Sequence, residues 1–154
     1  MKYNIGITIG VFDLLHVGHL NLLERCKCQC NHLIVGLCMD DYVRSVKHKE
    51  PIICDTDRYR MLKALECVDE VIPVSIHEIE DKLLCWNNHH FDVLFSGDDW
   101  KGSDRYKKTE QQFAEIGACI EYLPYTKGIS TTDIVKKIKE LYLRYKKMVS
   151  ILGW

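Results

Sequence analysis

The chain has 154 residues, and its 21 basic and 22 acidic side chains leave a formal net charge of −1. That length supports one domain with a real hydrophobic core, and the balanced charge argues against a general nucleic-acid binder. No apolar stretch approaches a membrane span, and Met1-Lys2 leads into a strand with no signal-peptide pattern. The expectation is therefore a cytoplasmic protein with reduced thiols and no membrane contact.

Tyr3–Ile9 is a largely β-branched apolar run and predicts the first strand. It feeds directly into Gly10-Val11-Phe12-Asp13-Leu14-Leu15-His16-Val17-Gly18-His19, and an amphipathic helix is expected over His19–Gln29. Such a junction presents free backbone N–H groups and the positive end of the helix dipole, a natural phosphate site. His16 and His19 are three apart and share one face of the first helical turn. Gly18 is expected to let a ligand approach the backbone. A single histidine here would read as a cap or a surface residue; two at this spacing after a buried strand point to an anion site.

Cys26, Cys28, Cys30 and His32 alternate across the helix end. Residues two apart on a helix diverge by about 200°, so free thiols are expected rather than a zinc centre. Cys38, Cys54, Cys67, Cys85 and Cys119 lie in or beside apolar runs and read as small hydrophobes.

Leu33–Met39 predicts the second strand. Lys47 and Lys49 follow in Val46-Lys47-His48-Lys49-Glu50-Pro51; alternate lysines in an extended loop point the same way, although a charge run is most often a solvated loop. A helix over Asp57–Glu66, opened by Asp57 as cap, carries Arg58. From position alone Arg58 reads as a helix-surface residue. Next come a strand at Glu70–Val74, a helix at Ile79–Asn87, and a strand at Val93–Ser96 running into Gly97-Asp98-Asp99-Trp100. A helix over Ser103–Ile116, capped by Ser103, precedes the last strand, Cys119–Leu123. Ser130-Thr131-Thr132-Asp133 opens a final helix over Thr132–Ile151, where the same hydroxyls and N–H groups suit a cap or a phosphate.

Alternation of strand and helix predicts an α/β fold: a Rossmann-like, doubly wound, five-stranded parallel sheet with helices on both faces. Residues 1–131 would form this domain and residues 132–154 a C-terminal amphipathic helix. Ligands of open α/β sheets sit beyond the carboxyl ends of the strands, which gathers His16 and His19, Gly97–Trp100 and Thr126–Thr132 at one edge. In the last helix, Ile134, Ile138, Leu141, Tyr145, Met148 and Leu152 follow steps of four and three, with Lys136, Lys137, Lys139, Arg144, Lys146 and Lys147 on the other faces. Docking on its own domain or across a dimer is expected, with a basic membrane-surface helix as the alternative.

The histidine segment resembles the signature of the HxGH nucleotidyltransferase superfamily, in the longer form of its cytidylyltransferase branch. Arg58, in the helix leading to Val68-Asp69-Glu70-Val71, follows the same branch. Gly97-Asp98-Asp99-Trp100 and Gly128-Ile129-Ser130-Thr131-Thr132 are most similar to the signatures of glycerol-3-phosphate cytidylyltransferases. The resemblance implies condensation of CTP with a phosphorylated alcohol, with glycerol 3-phosphate giving CDP-glycerol and pyrophosphate. Phosphocholine, phosphoethanolamine and 2-aminoethylphosphonate are alternative acceptors. A non-catalytic nucleotide-binding domain is the alternative of another class.

The resemblance further implies His16, His19 and Lys47 as catalytic donors, with Lys47 and Lys49 on the acceptor phosphate. It implies nucleotide contacts from Gly10, Val11, Phe12, Asp13, Gly18, Arg58, Gly97, Asp98, Asp99, Trp100, Lys127, Gly128, Ile129, Ser130, Thr131 and Thr132. Mg²⁺ would arrive with CTP rather than on dedicated side chains, and a homodimer is expected. Two departures stand out. The family's Arg-Thr-Glu is Tyr125-Thr126-Lys127 here, so Lys127 is expected to restore the missing positive charge. Glu66 stands where relatives carry an arginine of their dimer contact.

Overall fold

A computed structural model describes residues 1–152, with side chains to residue 149. Five strands, β1 (Tyr3–Gly10), β2 (Cys30–Cys38), β3 (Glu70–Val74), β4 (Val93–Gly97) and β5 (Cys119–Leu123), form one sheet in the order β3-β2-β1-β4-β5. Every pairing is parallel, as strands buried on both faces by helical crossovers require. Successive residues of a strand point to opposite faces. Leu33, Val35, Val93 and Phe95 accordingly enter one core, with Leu23 and Cys26 of α1 (Val17–Lys27) and Leu62 of α3 (Asp55–Lys63). Ile7, Ile34 and Leu94 enter the other, with Cys85 of α5 (Lys82–His89) and Tyr106 and Phe113 of α6 (Asp104–Ile116). Strands are added outward on one side from β1 to β3 and on the other from β4 to β5, so the crevice at the carboxyl ends of β1 and β4 is the place where such sheets hold ligands.

Several boundaries differ from the sequence expectation for local reasons. The helix expected over Ile79–Asn87 is two, α4 (Ile76–Glu80) and α5. Asp81 between them is extended (φ −111°, ψ 101°), and its carboxylate accepts the Leu83 and Leu84 N–H groups, stopping one helix and capping the next. A short α2 (Asp40–Ser45) escapes the pattern because six mostly polar residues carry no measurable apolar period. α3 starts before Asp57, on Cys54, and Ser103 turns its hydroxyl to the Trp100 carbonyl instead of capping α6.

α7 (Thr131–Leu152) leaves the domain after its first turns. Ile134 and Val135 are half-buried, whereas Ile138, Leu141, Tyr145 and Met148 are each more than half exposed. Leu152, the end of the predicted seam, has no described side chain. No helix among the described residues is long and apolar enough to cross a membrane.

Candidate active site

His16 is the N-cap of α1, and its ring stacks on that of His19 with centroids 3.9 Å apart. The two imidazoles close a reciprocal capping box: His16 Nδ1 accepts the Gly18 N–H at 3.0 Å, and His19 Nδ1 accepts the His16 N–H at 3.4 Å. An Nδ1 that accepts is unprotonated, so the hydrogen-bond network assigns the proton of each neutral ring to Nε2. Burial lowers the pKa of both histidines, and the neighbouring His16 helps burial bring His19 down to about 4 against the opposing pull of Asp13. The pair therefore offers two neutral Nε2–H donors from one helix terminus. Gly18, which lines the histidine cavity, also makes room for this arrangement: a Cβ there would lie 2.9 Å from His16 Nδ1 and 3.2 Å from Ile129 Cγ2.

The turn that delivers the histidines is tight. Phe12 and Leu14 both have left-handed φ, 53° and 50°, a conformation that costs a bulky residue about 1–2 kcal/mol. Phe12 is held there by burial in the core and by its edge-on contact with His19. Asp13 is the tie. Its carboxylate accepts N–H groups from Leu14, Ile52 and Ile53 at 2.8–2.9 Å, pinning the loop after Lys47 and Lys49. Its carbonyl accepts the Thr131 hydroxyl at 2.9 Å, pinning the start of α7. Asp13 thus fastens two distant segments to the histidine turn with both carboxylate oxygens already in use.

A cavity of about 300 Å³ brings together His16, Gly18 and His19 with Gly97, Asp99, Tyr125 and Ile129–Thr132. Ser130 caps α7, accepting the Asp133 N–H at 3.0 Å. Thr132 faces both this cavity and a wider groove of about 880 Å³ that adds Val11, Phe12, Asp13, Lys47 and Lys49. A third cavity, about 240 Å³, shares Gly97 with the first and Lys47 with the second. Gly10, Trp100, Tyr42, Lys82, Arg105 and Tyr106 line it. Lys47 lies 5.9 Å over the Tyr42 ring, at the passage between two of these spaces. The three motif segments expected at one sheet edge do meet there.

One expectation needs correction, and the placement of three other residues is informative. Arg58 is neither a surface arginine nor free for a nucleotide: its side chain is 0% exposed. It donates to the carbonyls of Val11, Cys38 and Ile53 and to the Asp40 carboxylate, at 2.5–2.9 Å. It clamps the ends of β1 and β2 from beneath the site. Lys127 is exposed and is not among the residues lining the three cavities, whereas Tyr125 stands in the wall of the first. Asp98 is exposed and lines none of the three cavities, while Asp99 lines the histidine cavity and Trp100 stacks on Tyr106 at 5.3 Å.

Sequence reasoning missed Lys82, Arg105, Tyr42 and Tyr106. On a helix each passes for a surface charge or an ordinary core residue, and only the packing of α5 and α6, and of α2 for Tyr42, around the β4 end brings them to the site. It also missed how the Tyr125 loop is held, by Arg25 donating to the Pro124 carbonyl at 2.8 Å and Asn21 to the Thr126 hydroxyl at 3.4 Å. Among the described residues, one group has metal-ligand chemistry: Glu78, Cys85 and His89. Burial alone would raise the Glu78 pKa, but hydrogen bonds from Ser75, Asn88 and His89 hold it down at about 2, and its oxygens are occupied by them.

The sequence matches the cytidylyltransferase-like family over residues 7–137. It is 39% identical over 135 residues to the glycerol-3-phosphate cytidylyltransferase of Bacillus spizizenii, covering 88% of this chain and 97% of that protein. It is 35% identical over 133 residues to the enzyme of that name from Staphylococcus aureus, covering 86% and 92%. The crystal structure of a lipopolysaccharide core biosynthesis protein from Thermoplasma volcanium superposes with a TM-score of 0.66 at 23% identity, covering 82% of this chain and 99% of that one, a likeness of fold. With the family match spanning both the histidine turn and the Ser130–Thr132 helix start, the chain belongs to the cytidylyltransferase-like family.

Proposed function

We propose that this protein transfers the cytidylyl group of CTP to glycerol 3-phosphate, giving CDP-glycerol and pyrophosphate. A phosphate oxygen of the acceptor attacks the α-phosphorus of CTP in line. The bond from that phosphorus to the oxygen bridging to the β-phosphate breaks, and pyrophosphate leaves. The attacking phosphate is already ionised near neutral pH, so the site has to position reactants and neutralise charge, and needs no strong base or covalent nucleophile.

The observation that carries this reading is the stacked pair of neutral imidazoles sharing a cavity with the Ser130–Thr132 helix start. Their Nε2–H groups suit the oxygens of the α-phosphorus as charge builds there. The N–H groups and hydroxyls opening α7 suit the β- and γ-phosphates. Lys47, between the groove and the third cavity, suits the reacting phosphate, and that cavity suits the body of the acceptor. Mg²⁺ would travel with the triphosphate and neutralise part of its charge; the Asp13 carboxylate already accepts three backbone N–H groups, and Asp99 is the carboxylate in the histidine cavity wall. The reading further places the protein in the cytoplasm as a homodimer.

The test is pyrophosphate release from CTP, measured with glycerol 3-phosphate, phosphoethanolamine, phosphocholine and 2-aminoethylphosphonate. Release with glycerol 3-phosphate, abolished by His16→Ala and by His19→Ala, is expected. Tight CTP binding without release for any acceptor would replace an enzyme with a nucleotide-binding module.

A further inference from the structure

The corner between α4 and α5 gathers three side chains with metal-ligand chemistry. Cys85 and His89 are four apart on α5 and share one of its faces. The chain turns at Asp81, so that Glu78 of α4 meets the far end of α5, where Asn88 and His89 both donate to its Oε1 at 2.9 Å. The Glu78 carboxylate, the Cys85 sulfur and a His89 ring nitrogen all lie within 4.8 Å of one another. Glu78 is 8% exposed and Cys85 0%, whereas the His89 side chain keeps 23% of its surface in solvent. Two donors are therefore buried and the third leaves an ion an entry path.

Each donor is prepared for a cation. Hydrogen bonds from Ser75, Asn88 and His89 outweigh burial and keep Glu78 ionised. The Ser75 N–H and hydroxyl both donate to Oε2, at 2.9 and 2.6 Å, which fixes the carboxylate while Oε1 faces α5. An ionised Oε1 only accepts, so His89 donates to it from Nε2. That bond is the one an ion replaces. The ring proton shifts to Nδ1, and the nitrogen and oxygen that shared it both turn lone pairs to the metal. Cys85 supplies the sulfur. Among the described residues Cys30 and Cys119 hydrogen-bond through their thiols, and Cys85 does not. Burial pushes its thiol up to about 11, against the pull of the Lys82 ammonium and with help from Glu78. A coordinated metal displaces such a proton outright.

We propose that Glu78, Cys85 and His89 bind one divalent ion of the zinc class and so pin α4 to α5. The mixed oxygen, sulfur and nitrogen set suits a borderline-soft tetrahedral ion, and excludes Mg²⁺, which takes oxygen ligands. Bonds of about 2.0–2.3 Å place tetrahedral ligands about 3.3–3.8 Å apart, so the trio closes by about 1 Å through a turn of the Cys85 and His89 side chains. Water fills the fourth position at the solvent edge of His89. On binding, one proton leaves Cys85 Sγ for solvent and the neutral imidazole keeps its own on Nδ1. None of the three residues lines the cavities around the histidine pair, so this site is independent of the cytidylyltransferase reading.

The test titrates the reduced, chelator-treated full chain with Co²⁺ alone, which takes tetrahedral zinc sites and absorbs visibly. One equivalent should produce a thiolate-to-cobalt charge-transfer band in the near ultraviolet with the visible bands of a tetrahedral ion, and Zn²⁺ should remove both. Cys85→Ser should abolish the charge-transfer band. His89→Gln, at the more exposed donor, should weaken binding at least about tenfold and keeps the test valid if Cys85→Ser does not fold. The exposed thiols are controls: Cys28→Ser with Cys54→Ser should leave the spectrum unchanged. Zn²⁺ should also raise the thermal midpoint of the intact chain and not that of His89→Gln. A folded intact chain without the charge-transfer band overturns the site. So does a band that survives Cys85→Ser and His89→Gln undiminished, or one lost with Cys28 and Cys54.

Discussion

The two histidines occupy a helix cap that consumes their Nδ1 atoms as acceptors, so the site holds them neutral with Nε2–H outward. A triphosphate placed against those donors reverses the balance, because a nearby anion favours the imidazolium that burial and the partner ring oppose. At pH 5.5, between the usual histidine value and the value of about 4 for His19, CTP binding should therefore take up protons. Binding enthalpies measured in two buffers of different ionisation enthalpy will give the number; no uptake, or uptake unaffected by His19→Asn, would remove the imidazoles from the phosphate site. The same depression has a stability consequence in the free protein. A histidine whose folded pKa lies below its unfolded one contributes stability above about pH 6.5 and loses it as pH falls toward 4. For this partly buried ring that amounts to about 2 kcal/mol, which His19→Asn should flatten in denaturant titrations. Arg58 belongs to the same scale but to stability. Arg58→Met leaves Asp40 and three carbonyls without their donor beneath the sheet edge, and should cost about 3–5 kcal/mol in chemical unfolding. Arg58→Lys should not restore it, since one ammonium cannot serve four acceptors arranged around a planar fork.

At the level of elements, the β1–α1 junction is a small machine in which backbone strain, a cap and a tie are inseparable. Asp13 holds residues 52 and 53 of the lysine loop and, through Thr131, the start of α7. Asp13→Asn replaces one accepting oxygen by a donor facing an N–H. The expected result is a folded protein with kcat lowered about 10–100-fold, because the loop bearing Lys47 and the α7 terminus lose their common anchor. Normal circular dichroism with unchanged kcat would show that the tie has no bearing on turnover. Much of this junction was legible beforehand, since an apolar strand running into two histidines spaced by three dictates both the turn and the phosphate-ready helix terminus. What could not be read was the use of each residue. Gly18 makes room for the His16 ring, Asp13 ties residues 52, 53 and 131 to the turn, and Arg58 is buried; the last two depend on chain segments 18 to 118 residues away. Four strands were read to within a residue at each end, since apolar runs leave little choice between the two faces of a parallel sheet; β2 begins three residues early, at Cys30, because Asn31 and His32 interrupt its apolar run. Asp81, which splits one expected helix in two, and the six-residue α2 were lost because caps and short polar turns leave no period to detect.

On the scale of the whole molecule, α7 is the element that its own domain does not complete. Beyond its first turns it presents Ile138, Leu141, Tyr145 and Met148 at 54–60% exposure along one seam. Apolar side chains repeating every 3.5 residues fit another helix of the same repeat better than a flat surface. The flanks decide the direction. With Ile138 and Tyr145 at one core position and Leu141 and Met148 at the other, Lys137 and Arg144 fall on one flank and Val135, Tyr142 and Val149 on the opposite flank. In a parallel pair the basic flank of one helix lies against the apolar flank of its partner. An antiparallel pair brings lysine and arginine of both chains together. A parallel homodimer through α7 is therefore the expected assembly. In sedimentation velocity at micromolar concentration the 18.0 kDa chain should run as a two-chain particle. Leu141→Glu with Tyr145→Glu, neither of which lines the described cavities, should run as a monomer and keep pyrophosphate release within about twofold. A wild-type monomer that co-sediments with anionic vesicles through the same seam would instead make α7 a surface-binding helix, with its lysines facing lipid headgroups. A double variant that stays dimeric would move the contact away from α7 altogether.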